Sequence, residues 1–72
     1  MITYYKLLDM LNRSGMTREQ LRQKAGLGSA TMTKISKGES VTIATIDAIC
    51  NVLQVQPGDI LEWIPDSEQQ ES

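Results

Sequence analysis

Apolar residues recur along this chain at the spacing of helix faces, and the stretches between them carry helix-ending and helix-starting residues. Tyr4, Leu7, Leu8 and Leu11 fall on one face, which predicts a first helix over residues 3–14, ended by Ser14-Gly15. Thr17 with Gln20 three residues later fits a capping box, in which the hydroxyl caps an unpaired backbone N–H and the amide reaches back. A second helix is therefore expected from Thr17 to Gly26, with Leu21 and Ala25 inward; glycine takes the left-handed conformation at its end without steric cost. A third helix is expected from Ser29 to Lys37, with Met32 and Ile35 inward and Gly38 as its cap. The fourth starts after Thr42, and its Ile46, Ile49, Cys50 and Leu53 follow the i, i+3, i+4, i+7 stripe of a buried face. Pro57 stands at the first position of a short fifth helix, expected to run through Trp63 and to end before Pro65. No internal repeat or interdomain linker is visible, so residues 1–65 read as one all-α domain. Residues 66–72, polar and acidic, read as a disordered tail.

Composition narrows the chemistry. A chain of 72 residues buries only about 60% of the surface its unfolded form exposes, so one small core is available. Aromatics are 4% of the chain, so that core must be built from Leu, Ile, Val, Met and Ala. The single cysteine, Cys50, cannot form an internal disulfide, and with no histidine beside it no Cys/His metal cluster is available. No cofactor or metal site is expected, and Cys50 itself reads as a small buried hydrophobe in a reduced, cytoplasmic setting. The N-terminus lacks the basic region and apolar run of a signal peptide. No window approaches the ~20 apolar residues that span a bilayer. Asp59, Glu62, Asp66 and Glu68 have no histidine or nucleophile to work with; they read as solvated surface, with Asp59 suited to a helix N-terminus, and the chain as a non-enzyme. Tyr4 and Tyr5 read as core and rim.

Charge changes the picture more. The net charge is −2, yet all seven basic residues lie in residues 1–38, which carry +5, while residues 39–72 carry −7. Such asymmetry between halves points to a polyanion partner for the basic half, or to a solvated surface with uneven charge.

The basic half contains TREQLRQKAGLGSATMTKISKG, residues 17–38. At roughly 100° per residue, Ser29, Ala30, Thr33, Lys34 and Lys37 cluster opposite Met32 and Ile35. Hydroxyls, a methyl that can touch thymine, and an ammonium that can reach guanine acceptors suit base edges in a major groove. Arg18 and Arg22 lie one turn apart near the start of the second helix, where they can meet phosphates. Wheel geometry by itself favours an ordinary amphipathic pair in a bundle over a groove reader. The glycine-bearing turn between the two helices favours a helix-turn-helix.

In Arg18, Leu21, Ala25, Gly26, Leu27, Met32 and Ile35, and in the segments GMTREQLRQKAGL and ISKGES, the chain resembles the Cro/repressor-type helix-turn-helix proteins, the XRE family. The likeness continues through VTIATIDAICNVLQVQPGDILEWIP and covers residues 5–65. It implies a compact five-helix lambda-repressor-like domain with the third helix in the major groove. Residue by residue, it implies base contacts at Ser29, Ala30, Thr33 and Lys34. It implies a phosphate contact at Arg18, a position usually filled by Gln, and backbone contacts at Thr31, Lys37 and Ser40. Two features depart from the family: Arg22 replaces a small residue, so its stem must snorkel outward, and the reading face lacks Gln, Asn and Arg. The implied function is a sequence-specific transcriptional regulator, a repressor, acting on double-stranded DNA as a homodimer, with no membrane or small-molecule partner. The competing reading is a protein-interaction module, an antitoxin or adaptor on the same fold. Trp63 either caps the core or joins Val55, Leu61 and Ile64 in a self-association surface.

Overall fold

The structure is a computed structural model and describes residues 1–66. In chain order it comprises β1 (Ile2–Thr3), α1 (Tyr5–Ser14), α2 (Arg18–Ala25), α3 (Ser29–Lys37), α4 (Ile43–Leu53), α5 (Pro57–Ile60) and β2 (Glu62–Trp63). The five expected helices are present, and α1 packs mainly against α5 and α2 mainly against α4. The expected acidic tail, apart from Asp66, lies outside the described residues.

Each helix contributes one wholly buried aliphatic side chain: Leu7 from α1, Leu21 from α2, Ile35 from α3, Ile49 from α4 and Ile60 from α5. Tyr4, Leu11, Met32 and Ile46 complete the buried cluster. Burial of each such aliphatic group is worth about 1.5–3 kcal/mol, so all five helices are held by one shared core. Leu8, Cys50 and Leu53, expected on buried faces, are only half-buried, and of these Cys50 and Leu53 pack at the margin of that core. Burial pushes the Cys50 thiol up, and the Asp47 and Asp59 carboxylates push it further, which favours the protonated thiol.

Two boundaries differ from the sequence expectation for one reason. The first helix begins at Tyr5 rather than Thr3, and the fifth stops at Ile60 rather than Trp63, because Ile2–Thr3 and Glu62–Trp63 pair as antiparallel strands. Ile2 faces Trp63 and Thr3 faces Glu62. The Ile64 N–H donates to the Met1 carbonyl at 2.9 Å, and the buried Thr3 hydroxyl donates to the Glu62 carbonyl at 3.4 Å. Leu61 is already extended, with φ −119° and ψ 150°. Backbone groups that a frayed helix end would leave to water are thereby paired.

Tyr4 links this ribbon to the segment that follows α3. Its hydroxyl donates to the Glu39 carbonyl at 2.7 Å, in the loop between α3 and α4. Burial pushes its phenol up, partly opposed by the Val41 backbone. The loop then enters α4 through Thr42, whose hydroxyl accepts from the Thr45 N–H at 3.2 Å. At the far end α4 closes on Gln54, a non-glycine residue at φ 57°. No helix among the described residues is long and apolar enough to cross a membrane.

Candidate nucleic-acid interface

The unit formed by α2 and α3 is built by local signals. At its start, Thr17 Oγ1 accepts the Gln20 N–H at 3.0 Å, while Gln20 Oε1 accepts the Thr17 N–H at 2.9 Å. The capping box read from the sequence is thus complete. At the turn, Gly26 adopts φ 69°, a left-handed conformation that turns the chain sharply into Leu27 and Gly28. The helices are then oriented by Leu21, Met32 and Ile35, all buried between them and the rest of the core.

Burying Met32 and Ile35 leaves Ser29, Ala30, Thr33, Lys34 and Lys37 exposed on the opposite face of α3, with Thr31 half-buried beside them. The Thr33 hydroxyl donates to the Ser29 carbonyl at 3.0 Å. With its proton committed, Thr33 presents lone pairs and a methyl group outward. Among the described residues Lys34 and Lys37 form no ion pair. Both stand in the last turn of α3, where the helix dipole also favours a cation. Ser40 is exposed in the following loop. A shallow depression between the helices is lined by Arg18, Arg22, Ser29, Met32, Thr33 and Lys37.

The two arginines of α2 behave differently from each other. Arg18 is exposed and donates from Nη1 to Ser36 Oγ at 3.2 Å, bridging to α3 and leaving most of its fork open to solvent. Arg22 does not extend outward. Its Nε donates to Glu19 Oε1 at 2.9 Å, its Nη2 to Glu19 Oε2, and its Nη1 to the Leu27 carbonyl at 3.2 Å. Only 27% of its side chain is exposed. The hydrogen bond from Arg22 holds the Glu19 carboxyl down at about 2, and Gln23 Nε2 assists at 3.0 Å.

A family model for the Cro/C1-type HTH DNA-binding domain matches residues 6–66, most of the chain. The chain is a member of the Cro/C1-type helix-turn-helix family. This Cro/C1-type domain is 34% identical over 61 residues to YozG, an uncharacterized HTH-type transcriptional regulator of Bacillus subtilis (strain 168), covering 82% of this chain and 73% of that protein. It also superimposes on the crystal structure of the transcriptional regulator VanUg (Form II) with a TM-score of 0.85 and 34% identity, over 89% of this chain and 85% of the other.

Around the C-terminal strand of this Cro/C1-type domain, one of the two readings of Trp63 falls away. Trp63 does not cap the core: it is 66% exposed on β2, and its cross-strand partner Ile2 is 43% exposed beside it. Val55, Leu61 and Ile64 are half-buried, and Val55 and Leu61 pack against the core. Ile2 was missed because it lies 61 positions from Trp63 and only strand pairing joins them. The Arg22–Glu19 pair was likewise missed, although the Glu-x-x-Arg spacing on a helix is a legible signal for it.

Proposed function

We propose that this protein is a sequence-specific DNA-binding transcriptional repressor that inserts α3 into the major groove and acts as a homodimer. The observation that carries this reading is the outward face of α3: small polar groups flanked by Lys34 and Lys37, neither paired with an acid among the described residues, on a helix-turn-helix unit. Ser29, Ala30, Thr33 and Lys34 contact bases. Because the Thr33 proton is committed to Ser29, Thr33 accepts from an adenine or cytosine amino group, or sets its methyl against a thymine methyl. Arg18, Lys37, Thr31 and Ser40 contact phosphates and fix register. The acids of α4 and α5, Asp47 and Asp59, which line a depression with no α2 or α3 residue in it, face away from the duplex.

One α3 reads too few base pairs for useful specificity, and a twofold pair reads half-sites about 34 Å apart. The exposed Trp63–Ile2 pair supplies an anchor for the second copy, with Val55, Leu61 and Ile64 at its margin. The test is binding to a pool of duplexes at several salt concentrations, alongside sizing of the protein and of a Trp63→Ser variant. Salt-dependent binding by a dimer that Trp63→Ser weakens is expected. Absence of binding at low salt rejects the DNA reading, and a concentrated monomer rejects the dimer.

A protein-interaction module on the same fold, an antitoxin or adaptor, is the second reading. The observation in its favour is that Glu19 neutralises Arg22, which leaves few unpaired cations on the face. Arg18→Ala with Lys34→Ala abolishes regulation under the first reading; regulation retained in that variant favours the second.

A further inference from the structure

The turn before α3 is held at both polar groups of Leu27 by a single residue. The Leu27 N–H donates to the Arg22 carbonyl at 2.9 Å, and the Leu27 carbonyl accepts from Arg22 Nη1 at 3.2 Å. Leu27 immediately precedes Gly28, the N-cap of α3, which has no side chain and makes no side-chain capping bond. The start of α3 therefore lacks the usual device that fixes where and in which direction a helix begins. The Arg22 guanidinium stands in that role. Its Nε and Nη2 engage both oxygens of Glu19, a fork-on-fork pairing that fixes the guanidinium plane and aims Nη1 at Leu27. Arg18, one turn earlier, ties α2 to Ser36 near the other end of α3.

We propose that Arg22 is a positioning residue: oriented by Glu19, it clamps the Leu27 carbonyl and so sets the direction in which α3 leaves the turn, instead of contacting phosphate. The Glu19–Arg22 pair is charge-neutral as a unit, so it adds little to attraction for a polyanion. Lysine does not substitute for this arginine, because a single ammonium cannot engage both carboxylate oxygens and the carbonyl in one plane. The effect on DNA rests on the function proposed above; the clamp itself does not.

The test uses the full chain, the charge-conserving double variant E19Q with R22Q, and R22K. Amide hydrogen exchange is followed without DNA, and affinity for a selected operator and for a random duplex is measured across salt. In both variants exchange is expected to accelerate at Leu27 and at Met32, whose N–H donates to the Gly28 carbonyl at 3.2 Å, with exchange in α4 unchanged. The double variant should lose about tenfold in operator affinity while its affinity for the random duplex and its salt slope stay at the wild-type values. Such a loss corresponds to about 1.4 kcal/mol of positioning. Unchanged exchange in the double variant, or protection restored by R22K, overturns the clamp. A salt slope that falls by about 0.9 per protomer on random DNA overturns it in favour of a phosphate contact. Wild-type protein that binds no duplex at low salt rejects the proposed function instead, while the exchange result still decides the clamp.

Discussion

Replacing Lys37 by alanine tests the electrostatic account most quantitatively, because the structure specifies which cations are available to DNA. Arg13 is paired with Asp9 at 2.9 Å, and Arg22 is paired with Glu19. Lys6 Nζ donates to the Gly58 carbonyl at 3.2 Å, on the side of the domain where α1 meets α5. Among the described residues this leaves Arg18, Lys24, Lys34 and Lys37 without a carboxylate partner; Arg18, Lys34 and Lys37 stand around the face of α3, and Lys24 in the last turn of α2. Under the proposed function, with Lys34 on a base edge, Arg18 and Lys37 would neutralise phosphate, two cations per protomer or about four in a dimer. Each contributes about −0.9 to the slope of log affinity against log salt, so the dimer slope is about −3.6. Affinity should then fall by roughly 150-fold between about 50 and 200 mM salt. Removing Lys37 from both protomers should shrink the slope to about −1.8 and that loss to roughly 12-fold. Fluorescence anisotropy with a labelled duplex measures both. The matching control is Arg13→Ala, which should leave the slope unchanged. An unaltered slope in Lys37→Ala, or an equal reduction in Arg13→Ala, would refute the assignment of Lys37 to the phosphate backbone.

Three further outcomes follow from the geometry. Tyr4→Phe removes the 2.7 Å bond to the Glu39 carbonyl and should cost about 1 kcal/mol in urea unfolding; unchanged stability would mean that this bond does not hold the α3–α4 loop. At Gly26 no atom lies within 4 Å of an added Cβ, so Gly26→Ala costs only the left-handed backbone, about 1–2 kcal/mol; a larger loss by thermal melting would point to a steric cause that the structure lacks. The Glu19 carboxyl should titrate near about 2 in a carbon-detected NMR series and return towards its ordinary value of 4.5 in Arg22→Ala. Because its folded-state value is lowered, the stabilisation it supplies is fully present above 4.5 and is lost as pH falls towards 2; a normal titration in the wild-type chain would contradict the ion pair.

Most of the helical framework was legible because its signals are local. The Thr17–Gln20 box, the Gly26 and Gly38 caps and the apolar stripes each specify a boundary or a face within one or two turns. The inward and outward sides of α3 were legible for the same reason. The β1–β2 ribbon was not, because each strand is two residues long, too short for alternation to register, and its partners lie at opposite ends of the chain. The end of α4 had no glycine to mark it, and Gln54 takes the left-handed position instead. At the site, Arg22 stood out as a large residue in a small residue's place, yet its direction depended on Glu19 and on a carbonyl exposed only once the turn had formed. Trp63 could be read either way from sequence, since its exposure depends on which side of the ribbon it occupies.

Selection of bound sequences from a random duplex library tests the central claim most directly, because it reports base reading and symmetry together. The account predicts enrichment of an inverted repeat whose half-site centres lie about 34 Å, one helical turn, apart. It also predicts that Lys34→Ala relaxes the preference at one position in each half-site. Recovery of no enriched sequence, or of a single unrepeated site bound by a monomer, would contradict it.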